Sequence, residues 1–170
     1  MIVKDEEEHL EQCLNSAKSI VDEIIIVDTG STDKTKDIAK RFNAKIIDHK
    51  WNNDFSEARN ISLKHATKDW ILFIDADELI ATEDLEKIKK LTENKETMGY
   101  FLVQRNYISD STVLGWVSAK DDPYKEKKDF TGWLPNPILR LFQNKKEIFF
   151  KNKVHESVGE SIYKIKGKVK

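Results

Sequence analysis

The sequence predicts an α/β fold built on a mostly parallel central sheet. Three short, largely apolar and β-branched runs, EIIIVD (23–28), AKIIDH (44–49) and WILFID (70–75), read as strands buried on both faces. Segments with helical spacing separate them. An acid stands at or next to the exit of each run: Asp28, Asp48 and Asp75. Strands that alternate with helices imply right-handed crossovers and hence a parallel sheet.

The elements follow in order. MIVK reads as the end of a strand without a lead-in, so the chain is expected to start inside that strand and to be truncated there. Leu10, Cys13, Leu14 and Ala17 fall on one helix face. Ser31 or Thr32 is the expected cap of a second helix carrying Thr35, Ile38, Ala39 and Phe42. A third helix is expected to start near Ser56 and to carry Ala58, Ile61 and His65. After FIDADE (73–78), Thr82 is the expected cap of a helix with acids in its first turn, later lysines, and Leu85, Ile88 and Leu91 as its stripe. GYFLVQRNYI (99–108) reads as a long strand. Residues 109–137, with Asp121, Asp122, Pro123, Gly132, Pro135 and Pro137, read as one long loop. ILRLF, EIFF and the segment around VHESV read as short strands, and the tail KIKGKVK as frayed.

The 170 residues suit one domain. A net charge of −1 gives no global field to attract nucleic acid, which is not expected as a partner. The lone cysteine, Cys13, excludes an intrachain disulfide or a thiolate metal cluster and is expected to pack on a helix face. No run is long enough to span a membrane, and MIVKDEEEHL lacks a signal peptide's apolar stretch, so a cytoplasmic setting is expected. The lysine-rich run 125–128 (Lys125, Lys127 and Lys128) and the tail leave room for peripheral contact with an anionic membrane or acceptor.

In an open parallel sheet, ligands bind outside the carboxyl ends of the strands. Asp75-Ala76-Asp77 can turn two carboxylates toward one divalent cation. Magnesium and manganese take oxygen ligands, and magnesium leaves part of its shell to substrate phosphates. Ala76 is small enough to let a ligand approach. Alone, Asp-x-Asp is a common chance pattern. Arg59, in FSEARN, is expected at the same edge, where its fork suits a phosphate or a site carboxylate. No Walker loop and no GxGxxG are present.

Together MIVKDEEEHLEQCL, IIIVDTGSTDKT, WNNDFSEARN, FIDADE, PILRLFQN and VHES resemble the family 2 glycosyltransferases, in particular the bacterial branch with a VKNEE-type start and a W-x-x-D-F-S-x-A-R-N block. The resemblance implies a GT-A fold, a Rossmann-like three-layer αβα sandwich. Residues 1–98 would form the nucleotide-sugar-binding half and 99–170 the acceptor half of a single domain, truncated at both ends. It implies a nucleotide-diphosphate sugar donor, uridine in first place, and a hydroxyl acceptor on a glycan, lipid-linked molecule or protein. It further implies Mn2+ or Mg2+, inversion at the anomeric carbon and a role in cell-envelope glycan synthesis. Carried over by position, Val3, Lys4, Asp5 and Glu6 line the nucleoside pocket. Asp28 contacts base or ribose, and Arg59 lies near the nucleotide. Asp75, Ala76 and Asp77 form the metal and ribose motif, with Asp77 the direct metal ligand. Thr29 departs from the second aspartate common in relatives.

Displacement at the anomeric carbon needs a neutralised diphosphate and a base for the acceptor hydroxyl. Glu156, in VHES, is the candidate base, with Asp121 or Asp122 as alternative. His155 is a candidate for the metal shell, the diphosphate or loop orientation. Trp133 is a candidate for stacking on a sugar, while Trp51 is expected under the FSEARN helix. Two rival readings are a nucleotidyltransferase, disfavoured by the acidic MIVKDEEE where a basic Gly-rich loop belongs, and a non-catalytic nucleotide- or sugar-binding domain.

Overall fold

A computed structural model describes all 170 residues. The order is β1 (Ile2–Val3), α1 (Leu10–Ala17), β2 (Ile25–Asp28), α2 (Thr35–Arg41), β3 (Lys45–Asp48), α3 (Phe55–His65), β4 (Trp70–Leu72), α4 (Leu85–Leu91), β5 (Thr97–Ile108), β6 (Val117–Ser118), β7 (Gly132–Gln143), α5 (Gly159–Lys164) and β8 (Lys168–Val169). Short 3-10 turns occupy Thr82–Asp84 and Lys125–Lys127.

β1, β2 and β3 form the expected parallel sheet, with Val3 opposite Asp28 and Asp28 opposite Asp48. All three therefore deliver their carboxyl ends to one edge. β4 departs from expectation: it pairs antiparallel with β7, in a second sheet ordered β4-β7-β5-β8, and not with β1. A cavity of about 590 Å³, lined by Met1, Ile25, Leu63, Trp70 and Leu72 among others, lies between the two sheets.

Helices cover both faces, as a three-layer arrangement requires. Leu10, Leu14, Ile38 and Ala39 of α1 and α2 pack with Val3 and Ile26. Ile88 of α4 joins Tyr100 and Leu141. On the opposite face Phe142, Ile148, Phe150, Val158 and Ile162 cluster with Leu63 of α3 and Phe73. Neighbours Leu141 and Phe142 thus serve different layers, the alternation of a strand covered on both sides.

Several local expectations are corrected. Neither Ser31 nor Thr32 caps α2: Ser31 Oγ accepts the Asp5 N–H, and Thr32 donates to Asp5 Oδ1 from both its N–H and its hydroxyl. α3 does start near Ser56, at Phe55, with Asp54 as the N-cap that accepts the Glu57 N–H. Thr82 opens a 3-10 turn rather than capping α4. EIFF and VHESV are not strands; Lys151 and Ser157 form one isolated bridge that closes the loop holding His155 and Glu156. The tail is not frayed, since α5 precedes β8, which pairs parallel with β5, and Phe101 N–H donates to the Lys170 carbonyl.

The 109–137 loop is shorter than its prolines suggest, because β7 starts at Gly132 and runs through Pro135 and Pro137. Thr131 accepts from Ala119 on the β6 side, and alternation gives Pro135 and Pro137 the same orientation. Their missing N–H groups face the open edge between β6 and β4, where no ladder bond is lost.

Candidate active site

The β4 exit is a polar knot under the sheet edge. Asp75 Oδ1 accepts Arg59 Nη2 at 2.8 Å, and Oδ2 accepts Arg140 Nη1 and Nη2 at 3.1 and 3.2 Å. Three of the roughly four acceptor directions of this carboxylate are thereby used. Burial pushes the Asp75 carboxyl up, but the two guanidiniums outweigh it and hold the group below its ordinary value. Arg140 also bonds Glu78, whose Oε2 accepts the Asp75 N–H at 2.8 Å. Asp77, two residues along, is exposed and makes no hydrogen bond. The two acids of the motif are therefore unlike: Asp75 is held from below, and Asp77, the expected direct metal ligand, is free.

Arg59 ties this knot to the far end of the chain. α3 owes its start to Asp54, and Ala58, fully buried, lets it lie close to the sheet. Asn60 trades two hydrogen bonds with the Phe150 backbone, at 2.9 and 2.8 Å. Between them Arg59 reaches inward over the rings of Phe73 and Phe150. Its Nε donates to Glu156 Oε1 at 2.5 Å. Its Nη1 is buried without a partner. Trp51 packs edge-on against Phe55, the first residue of this helix. The WNNDFSEARN block is thus a cap, a close-packing alanine, a charge bridge and a backbone clamp in sequence.

The other candidates divide. Val3 is buried in β1 and Lys4 is exposed. Asp5, at φ +53°, holds the loop before α2 through Thr32. Burial and then the Asp77 charge push the Glu6 carboxyl above its ordinary value, so these two acids feel one another. Asp28 is buried, and its carboxylate accepts the Gly30 and Ser31 N–H groups. Gly30 sits at φ +114°, a conformation that favours glycine, which lets the chain turn back over Asp28. Ala76 is buried, and His155 is exposed at φ +56°. The structure brings Arg59, Asp75 and Glu156 into direct contact. No three His, Cys, Asp or Glu residues form a ready metal cluster. One exposed carboxylate beside a second acid still suits a hard cation that draws its remaining ligands from phosphate and water.

Asp122, an alternative base, is buried against Arg105 at 2.6 Å and the Tyr107 hydroxyl at 3.1 Å. Arg105 also covers Trp133, its guanidinium carbon 4.0 Å from a ring centre, so that indole face already has an occupant. Arg140 was not singled out from the sequence, although a charge in the middle of ILRLF is the signal that finds it. Glu78, the last residue of FIDADE, is likewise not among the residues expected at the site. Cys13 is buried as expected, and burial lifts its thiol to about 12.

The family model described as "Glycosyl transferase family 2" matches residues 1–155. The chain is 37% identical over 158 residues to the SPbeta prophage-derived glycosyltransferase SunS of Bacillus subtilis, covering 92% of this chain and 33% of that protein. It spans about a third of the length of the curated relatives it matches first. The 1–349 piece of S. aureus TarS has the same fold at TM-score 0.61 and 19% identity, over 97% of this chain and 52% of that one. A Pyrobaculum calidifontis mannosyltransferase, solved with GDP-mannose and Mn2+, matches 61% of this chain and 34% of its own at TM-score 0.52 and 23% identity. No helix of the chain is long and apolar enough to cross a membrane. With a family match that runs from the first strand to the loop before Glu156, on a fold of GT-A type, this chain belongs to glycosyl transferase family 2.

Proposed function

We propose that the chain forms the donor site of a metal-dependent, inverting glycosyltransferase that uses a nucleotide-diphosphate sugar, with uridine diphosphate as the nucleotide. The observation that carries this reading is the pairing of a free, exposed Asp77 with a turn anchored from beneath by Arg59 and Arg140. It places an uncommitted carboxylate at the edge where the parallel strands end. Manganese or magnesium held by Asp77, with His155 and the remaining acceptor direction of Asp75 as further ligands, would supply Lewis-acid neutralisation of the leaving diphosphate.

The chain's own residues do the rest. The loops at Val3 to Glu6 and after Asp28 border the nucleoside. Arg59 holds Glu156 in place, and Glu156 Oε2, which makes no hydrogen bond, accepts the proton of the acceptor hydroxyl. The acceptor is a hydroxyl on a glycan, a lipid-linked molecule or a protein, delivered from the side of residues 99–170. A second reading, nucleotide binding without turnover, is favoured by the Arg59–Glu156 pair, because one oxygen of the candidate base is already committed to the guanidinium.

The test is release of uridine diphosphate from uridine-diphosphate sugars in the presence of Mn2+, for wild type, Asp77→Asn and Glu156→Gln. The proposal expects slow metal-dependent hydrolysis in wild type, lost in both variants. Binding without release in wild type would favour the second reading.

A further inference from the structure

Arg140 stands where the β5–β7 ladder skips a residue. Tyr100 pairs with Leu141 and Phe101 with Leu139, so Arg140 is the extra residue of a bulge. Bulges re-aim the side chains they carry and recur beside active sites. Here Arg140 is 6% exposed, and its guanidinium lies 4.4 Å over the Phe73 ring and donates to Asp75 and Glu78 together. A flush strand would place this residue in the alternation of its neighbours, which face apolar layers on both sides.

The Asp75–Glu78 turn is closed by few contacts. Glu78 N–H donates to the Asp75 carbonyl at 3.1 Å, and Asp75 N–H donates to the Glu78 carboxylate at 2.8 Å. Arg140 spans the two side chains, and Gln104, itself held by Asn136, braces Glu78 from β5. Asp77 sits inside this turn with no anchor of its own, so its direction is inherited from the residues around it. We infer that Arg140 is a positioning residue: with Glu78 it holds the turn in the form that presents Asp77 to a divalent cation. This inference rests on the donor-site reading above.

Electrostatics and positioning make opposite predictions, which separates them. Removing a cation beside Asp75 makes the region more negative, and by charge alone a divalent metal then binds more tightly. Positioning predicts weaker binding. It also predicts that lysine cannot substitute, because one ammonium does not reproduce a planar fork that spans two carboxylates.

The experiment compares wild type, Arg140→Lys, Arg140→Gln and Glu78→Gln. Free Mn2+ is followed by electron paramagnetic resonance with and without uridine diphosphate, and near-ultraviolet circular dichroism confirms native packing in each variant. We expect Arg140→Lys and Arg140→Gln to weaken Mn2+ binding at least tenfold, with Glu78→Gln between them and wild type. Uridine diphosphate binding without metal should stay within about twofold. Arg140→Lys carries the test if the glutamine variant does not fold. Unchanged or tighter Mn2+ binding in a folded Arg140 variant overturns the inference while leaving the donor site standing. Absence of Mn2+ binding in wild type overturns the donor-site reading and this inference with it.

Discussion

Replacing Arg59 by methionine removes the bridge between the two ends of the chain while keeping much of the side-chain volume. The side chains of its partners differ in exposure, 12% for Glu156 and 35% for Asp75. Asp75 keeps Arg140 and is partly screened by water, so its share of the loss is small. Glu156 has no other cation and stays behind as a nearly buried, unpaired charge. Breaking a buried pair in this way costs about 3–5 kcal/mol, and the partial exposure of the knot argues for about 3. With an m-value of about 2 kcal/mol/M, the urea midpoint should fall by about 1.5 M. Replacing Glu156 by leucine as well removes the stranded charge and should restore at least about 2 kcal/mol. The effect should also depend on pH with a definite sign. Asp75 has a lowered carboxyl in the folded state, so its stabilisation is complete above its unfolded value near pH 4 and fades as pH falls through the lower folded value. Because Asp75 carries the smaller share of the loss, the gap between wild type and Arg59→Met should narrow slightly in acid. A loss below about 1 kcal/mol at pH 7, with no recovery in the double variant, would refute the view that Arg59 binds the two halves together.

Other consequences are open to simple assays. Asn60→Ala leaves a Phe150 N–H and carbonyl without partners and should lower stability by about 2 kcal/mol in a thermal or urea melt. Cys13, with its thiol lifted to about 12, should resist a disulfide reagent at pH 8 in the native protein and react at once in urea. Asp122→Asn weakens the latch on Arg105 and Tyr107, so limited proteolysis should cut between residues 109 and 131 faster than in wild type, with the core intact.

The parallel β1-β2-β3 sheet and α1 to α3 were legible because an apolar β-branched run and an amphipathic helix each leave a local trace, although β3, expected to be buried on both faces, is an edge strand with Lys45 and Asp48 exposed. Leu10, Cys13, Leu14 and Ala17 are all buried, as their spacing requires. Turn chemistry misled where a proline sat in a strand. Pro135 and Pro137 signal a loop by composition, and only the sheet order reveals that their nitrogens face an open edge. β4 was read as a strand of the parallel sheet, but it pairs antiparallel with β7, about 70 residues further on, and pairing partners leave no local signal. At the site, Arg59, Asp75 and Glu156 were chosen for chemistry, and the fold adds that they touch. Arg140 was passed over because its role depends on a bulge, a register event that one strand's sequence does not display. Asp28 shows the reverse case: the acid was conspicuous, yet its carboxylate is engaged by the Gly30 and Ser31 amides.

In the proposed function, Asp77 is the uncommitted metal-binding acid of a nucleotide-sugar site. Calorimetric titration of uridine diphosphate, with and without manganese, against wild type and Asp77→Ala tests it most directly. Wild type should show metal-dependent binding that is lost in a folded Asp77→Ala protein. Metal-dependent binding of equal strength in both proteins would contradict it.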